Sequence, residues 1–218
     1  KPLVVSRRVA FQSEHGILSR LKYMRAHRFL AVSQYVADRL CAVGVASSKI
    51  EVIYDAVHPL DYRCTSVQHA GLVVGPYSDD PLKKGPLLQA AVRQADLSLH
   101  LSKNLVTDLP SASIFAYLSV CEGLGSAILL AMAHKVPVVA SHVGGIPEIV
   151  DHEHTGLLVA NNATDIANAL KRFAHNPNFA QECTERAYQQ FLEHFTDDIM
   201  VQRTERAYRK VLGLGTPS

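Results

Sequence analysis

The 218-residue sequence has no apolar run approaching the ~18 residues that a membrane-spanning helix needs, so nothing in it reads as a transmembrane segment. No stretch has the character of a leader peptide. Its four cysteines, Cys41, Cys64, Cys121 and Cys183, are scattered without C-x-x-C spacing. That argues against a disulfide framework or a zinc site and for buried thiols in a reducing compartment. Neither sign of charge dominates: the formal net charge is +2, whereas a general nucleic-acid binder carries a basic stripe. Repeats and low-complexity tracts are also missing. So is a strand followed by G-x-G-x-x-G and a helix, which argues against a dehydrogenase on a similar fold.

What remains is ordinary globular material, 48% hydrophobic and 19% charged, enough for one large or two modest domains. Residues 2–10 read as a strand ending in two arginines, 16–28 as an amphipathic helix, and Phe29–Gln34 as a short strand. Ser33 is placed to cap a helix through Tyr35, Val36 and Leu40, and Lys49–Val57 is the next strand. This β-α-β-α-β rhythm predicts a parallel sheet with helical crossovers. Residues 58–69 are polar and aperiodic and read as a linker. A second α/β series follows: strand 70–75, a helix through Leu87–Val92, strands 97–102 and 114–120, helix 126–134, strand 136–140, helix 146–151, strand 156–159 and helix 164–174. A closing helix begins near Thr196. The expected fold is therefore α/β, with two Rossmann-like parallel-sheet units and a cleft between them. Residues 1–57 form the closing part of an N-terminal unit, 58–69 the linker, 70–190 a ligand-binding unit, and 191–218 the closing helix and tail. In such folds ligands bind at the carboxyl ends of the strands.

The most informative run is "VCEGLGSAILLAMAHKVPVVASHVGGIPEIV", Val120 to Val150. Strand 114–120 delivers Glu122 to its carboxyl end, Gly123 and Gly125 permit close approach of a ligand to the backbone, and the next helix turns its free N–H groups and positive dipole end to the same place. An anion, most simply a phosphate, fits the helix N-terminus, while the carboxylate accepts hydrogen bonds from hydroxyls. A phosphorylated sugar has both features. Gly144 and Gly145, followed by Pro147, repeat the strand–turn–helix device.

In order and combination, "EGLGSAILLAMAHKVPVVASHVGGIPEIVDHEHTGLLV" closely resembles the donor-binding segment of family 4 glycosyltransferases, which have the two-domain GT-B fold. That family shows E-G-F-G, a second glutamate seven residues after the first, then A-M-A, P-V-V-A-S, G-G-x-P-E and G-L-L-V. "VVSRRVAF", "RFLAVSQYVADRL" and "KIEVIYDAV" are similar to the closing strands of its N-terminal domain, and "VVGPYSDDPLKKGPLLQAA" to the loop opening its C-terminal domain. The resemblance implies a retaining transferase that moves a sugar from a nucleotide diphosphate donor to a hydroxyl acceptor, glycan- or lipid-linked, with no obligatory metal or cofactor. It implies that Glu122 contacts donor-sugar hydroxyls, that Gly123, Leu124, Gly125 and Ser126 present amides to the diphosphate and sugar, and that Lys84 binds the diphosphate. Gly144, Gly145 and Lys83 belong to the donor side.

This sequence departs from the family pattern at several places. The arginine usually paired with the lysine aligns with Pro76, and the second glutamate, which holds the nucleotide ribose, aligns with Leu130. Between "LSLHLS" and "TDLP" a strand and a helix of the family are reduced to a few residues, and the N-terminal unit is truncated. These departures motivate an alternative, a non-catalytic or incomplete scaffold with at most weak nucleotide or phosphate binding. Arg8 aligns near a family histidine. Arg7 and Arg8 are either cleft residues attracting phosphate, with Arg8 in a catalytic position, or surface arginines at a strand end.

Three further features carry two readings each. Cys121 beside Glu122 is a nucleophile or, more simply, a small strand-end residue. His152 and His154 in "DHEHTG" are metal ligands or, favoured because i, i+2 residues share no helix face, a solvated turn. Residues 1–28 carry seven Lys/Arg against Glu14 alone. The helix at 16–28 is then either a peripheral contact with anionic lipid, or a helix packed on its own sheet with a solvated basic face. The location this implies is cytoplasmic, at the inner face of a membrane in the first reading. An oligomer is compatible with the sequence, and no nucleic-acid partner is expected.

Overall fold

A computed structural model describes residues 1–9, 23, 25–59 and 70–214. Most of the basic segment 16–28, the linker from residue 60 to 69, Cys64 and the tail from 215 lie outside these residues.

The chain forms two parallel sheets. The first contains β1 (Val4–Arg7), β2 (Arg28–Ala31) and β3 (Ile50–Val52) in the order β1-β2-β3. Between β2 and β3 lies α1 (Gln34–Ala42). Its N-cap is Ser33, as the sequence predicts: the Ser33 hydroxyl accepts a hydrogen bond from the Val36 amide at 3.1 Å. The strands are shorter than their apolar runs. β2 ends at Ala31 because the cap begins two residues later, and among the described residues no strand lies beside Ile53–Val57 along its length. The chain instead touches the far end of the molecule, where Val57 N donates to Phe195 O at 3.1 Å.

The second sheet has the order β5-β4-β6-β7-β8, every pairing parallel. Its strands are β4 (Leu72–Pro76), β5 (Ser98–Ser102), β6 (Ile114–Tyr117), β7 (Val138–Ser141) and β8 (Leu157–Val159). β6 and β7 are buried along their whole length, which accounts for their near-continuous apolar sequence. The twofold alternation of a strand divides the core into two. Ile114 and Ala116 face a cluster with Leu88, Val92, Ile166, Leu170 and Phe173, from α2 (Gly85–Ala95) and α5 (Ala163–His175). Phe115 and Tyr117 face a cluster with Ile128, Met132, Ala187 and Phe191, from α4 (Ser126–Ala133) and α6 (Pro177–His194). That second cluster continues through Leu124 and Ile146 to Phe29, Val32 and Val36 of the first sheet, so one apolar core spans both sheets.

Three elements differ from the sequence reading. The helix expected at 146–151 is a single 3-10 turn, Ile146–Glu148. The chain leaves it because the Asp151 amide donates instead to Thr155 Oγ1 at 2.8 Å. Between β5 and β6 the short α3 (Leu105–Asp108) and a 3-10 turn, Leu109–Ser111, make the crossover. α6 has no counterpart in the sequence reading. Its inward positions are Ala180, Cys183, Thr184, Ala187 and Phe191, mostly small residues that leave a weak apolar stripe. After Thr196, α7 (Asp197–Leu212) returns to the first sheet, where Ala207 packs with Leu30 and Ile53, and Lys210 Nζ donates to Glu51 Oε1 at 3.3 Å.

Phe191 is fully buried where α6 meets the core shared by both sheets. Phe191→Ala is therefore expected to lower the unfolding free energy by about 3–5 kcal/mol, read as a fall in the urea midpoint in equilibrium denaturation.

Candidate functional site

At the carboxyl ends of β4 and β6 the chain encloses a cavity of about 600 Å³. Its floor belongs to the second sheet: Asp80, Leu82, Lys83, Tyr117, Ser119, and Cys121 through Ala127. Its opposite wall belongs to the first: Arg8, Val9, Tyr35, Arg39 and Asp55. Two other cavities, one against the exposed turn holding His152 and His154, the other at the opposite ends of the strands near Gly71 and Pro137, lack this convergence of strand ends and glycines.

Lys83 reaches Glu122 because the segment before α2 is sewn to the end of β6. Val120 N donates to Leu82 O at 3.0 Å and Lys84 N to Leu118 O at 3.3 Å. The Lys83 ammonium then donates to the Glu122 carboxylate and to the Tyr117 hydroxyl at 2.6 Å, while lying 4.4 Å from the centre of the Tyr117 ring. Both charged side chains are largely sheltered, Lys83 22% and Glu122 16% exposed, so their attraction is less screened than that of a surface pair. Burial, reinforced by the Glu122 charge and hydrogen bond, pushes the Tyr117 phenol well above its ordinary range. It is therefore a neutral hydroxyl at physiological pH.

The turn carrying Glu122 is held from three sides. Gly125 adopts φ 91°, left-handed, and caps α4 without a side chain, so the first amides of that helix have no side-chain cap. Gly144 and Gly145 lie directly against the backbone of Glu122 and Gly123, where any Cβ would collide with those carbonyls. Gly145 N donates to Glu122 O at 3.2 Å. From the first sheet, the Ser33 hydroxyl donates to Gly123 O at 2.6 Å. Behind the turn a buried polar chain completes the support: Ser119 N donates to Ser141 Oγ at 3.0 Å, Ser141 Oγ to Asn161 Oδ1 at 2.6 Å, and Asn161 Nδ2 to Ser119 O at 2.8 Å.

Of the residues singled out in the sequence, Arg8, Lys83, Glu122, Gly123, Leu124, Gly125 and Ser126 line the cavity. Lys84 sits at the N-cap of α2, outside that lining, and its neighbour Lys83 occupies the place beside Glu122. Gly144 and Gly145 are also outside the lining; they make room for the turn rather than for a guest. Arg7 ends β1, half-buried, and does not reach the cavity wall. Arg8 does, and pairs with Asp55, whose other oxygen accepts from Ser126 Oγ at 2.6 Å. Leu130 packs half-buried against the apolar core. Cys121, half-buried, lines the cavity 3.9 Å from the Tyr35 hydroxyl. Asp55, Tyr35, Arg39, Tyr117 and Asn161 were not singled out from the sequence. "IYDAV" does mark Asp55 as a carboxylate in an apolar run. Among the described residues no group of histidine, cysteine and acidic side chains is arranged to hold a metal ion, and no helix is long and apolar enough to cross a membrane.

Parallel sheets meeting across such a cleft define the GT-B class of fold, and comparison with solved structures agrees. Anabaena HepE in complex with UDP superposes with a TM-score of 0.83 at 18% identity, over 98% of this chain and 73% of that one. A glycosyltransferase from Rickettsia africae gives 0.80 at 17% identity, over 96% and 70%. Residues 87–190 match the family described as glycosyl transferases group 1, and through them the chain belongs to that family. The N-acetyl-alpha-D-glucosaminyl L-malate synthase of Bacillus anthracis is 30% identical over 169 residues, 75% of this chain and 43% of that protein. The alpha-maltose-1-phosphate synthase of Mycolicibacterium smegmatis is 38% identical over 110 residues, 47% of this chain and 28% of that protein. The chain thus spans less than half the length of either curated relative.

The close approach at Gly145 yields a direct test. Gly145→Ala is expected to destabilise the protein by about 1–3 kcal/mol, seen in urea denaturation as a lower midpoint with an unchanged slope.

Proposed function

We propose that the cleft binds a nucleotide diphosphate sugar and transfers the sugar to an acceptor hydroxyl. The observation that carries this reading is the convergence of the sheltered Glu122–Lys83 pair with the uncapped N-terminus of α4 on one cavity at the strand ends. The diphosphate rests on the amides around Gly123–Ser126 and the positive end of α4. Lys83 compensates the charge that grows on the departing nucleotide diphosphate, a stabilisation stronger in the transition state than in the ground state. Glu122, oriented by Lys83, accepts hydrogen bonds from hydroxyls of the donor sugar. The acceptor enters from the wall formed by Arg8, Tyr35 and Arg39. UDP bound to Anabaena HepE supports the donor class, and the match to glycosyl transferases group 1 supports sugar transfer. Retention of configuration and a glycan- or lipid-linked acceptor rest on the family resemblance. Contact with an anionic membrane through 16–28 rests on sequence alone, as does a cytoplasmic location.

One observation favours the alternative, a scaffold with weak nucleotide binding. Leu130 stands where a ribose-binding carboxylate is expected and packs on the core, which removes a charged hydrogen bond worth ~1.5–3 kcal/mol, roughly tenfold to a hundredfold in affinity.

Calorimetry with UDP, GDP and ADP, joined to turnover with a panel of nucleotide sugars, separates the two. The transferase reading expects binding of one nucleotide, weakened about tenfold to a hundredfold in Lys83→Ala, and loss of turnover in Glu122→Ala. Lys84→Ala, remote from the cavity lining, is expected to leave binding nearly unchanged. Binding without turnover of any nucleotide sugar favours the scaffold, and absence of binding to all three nucleotides contradicts the transferase.

A further inference from the structure

The run Gly144–Glu148 contains a carboxylate that the donor reading does not use. Glu148 ends the 3-10 turn after Gly145, yet its side chain crosses to the first sheet. Its Oε2 accepts from the Gln34 amide at 2.7 Å, and its Oε1 accepts from the Tyr35 amide at 2.8 Å. Tyr54 Oη, from the segment after β3, donates to Oε2 at 3.1 Å. Gln34 and Tyr35 are the first two residues of α1, and the next amide, Val36, is taken by Ser33. The unpaired N–H groups at the start of α1 are thus met by two side chains. One of these is Glu148 itself, and the other, Ser33, is in turn hydrogen-bonded to Gly123 O. A carboxylate at a helix N-terminus also gains from the helix dipole. A bidentate grip fixes orientation as well as distance.

We infer that Glu148 is a positioning residue. By gripping the first turn of α1 it sets Tyr35 and Arg39 opposite Glu122 across the cleft, so that the acceptor-side wall is built to a register dictated by the donor-side turn. The two side chains it sets are themselves joined, Arg39 donating to the Tyr35 hydroxyl at 3.0 Å with its guanidinium 5.0 Å from the centre of the Tyr35 ring. Displacing the first turn of α1 therefore moves both. The consequence for turnover rests on the proposed transferase activity; the grip itself does not.

The test compares wild type, Glu148→Gln and Tyr54→Phe. Glutamine keeps the shape but loses the charge and turns an NH₂ toward one of the two amides. Faster amide hydrogen exchange at Gln34 and Tyr35 is expected in Glu148→Gln, with kcat/KM for the acceptor down tenfold or more and the Kd for the nucleotide among UDP, GDP and ADP that binds wild type within twofold of its wild-type value. Tyr54→Phe, which removes one of the three hydrogen bonds and leaves no void, is expected to change exchange and turnover in the same direction by a smaller factor, and it decides the matter should Glu148→Gln not fold. Unchanged exchange overturns the grip. Faster exchange with unchanged kcat/KM, or with binding of that nucleotide lost in parallel, overturns the positioning role. A wild type that binds none of UDP, GDP and ADP and turns over no nucleotide sugar overturns the transferase reading instead, and the exchange result still decides whether Glu148 holds α1.

Discussion

The backbone of Glu122–Gly125 is pressed between the Gly144–Gly145 turn and the Ser33 hydroxyl, and most of the site depends on that contact. Two loops at the ends of adjacent strands can approach this closely only where no Cβ intervenes. The approach aims the Glu122 side chain into the cavity, starts α4 at Gly125 with its amides uncapped, and brings the first sheet near enough for Ser33 and Glu148 to bond across. The Ser119–Ser141–Asn161 chain beneath it gives the buried backbone N–H and C=O of Ser119, just before the turn, partners they would otherwise lack.

The electrostatics follow from this packing. Each cation on the cavity wall for which a carboxylate is in reach is paired with it: Lys83 with Glu122, Arg8 with Asp55. In the proposed function the attraction for an anion therefore falls largely to the terminus of α4 and to Lys83. Asp55 holds both Arg8 and Ser126, and so ties the end of the first sheet to the first turn of α4. Tyr117, kept protonated by burial and by Glu122, adds a neutral hydroxyl that tethers Lys83 without competing for its charge.

Much of this architecture is legible in the sequence because local rules and tertiary demands agree. Ser33 reads as a helix cap and is one. The apolar runs at β6 and β7 read as buried strands because both faces are covered. "EGLGS" reads as a strand-to-helix turn because only glycine serves there. Other features are hidden for physical reasons. α6 presents alanine, cysteine and threonine to the core, so its periodicity is faint. The choice between Lys83 and Lys84 turns on the pairing of 82–84 with 118–120, a contact between residues some 36 positions apart. Gly144–Gly145 resembles a second phosphate turn in sequence, yet in space it serves the first. The partnership of Asp55 with Arg8 and Ser126, and that of Glu148 with α1, join residues from different sheets, and no local pattern announces them.

The most direct measurement is a crystal structure of the protein soaked with whichever of UDP, GDP and ADP binds most tightly in calorimetry. The account predicts phosphates within hydrogen-bond distance of the amides around Gly123–Ser126 and of Lys83 Nζ, with Glu122 facing the open space beyond them. Phosphates resting elsewhere, or a cavity in which Lys83 stays bound to Glu122 with no phosphate beside it at a saturating soak, would contradict it.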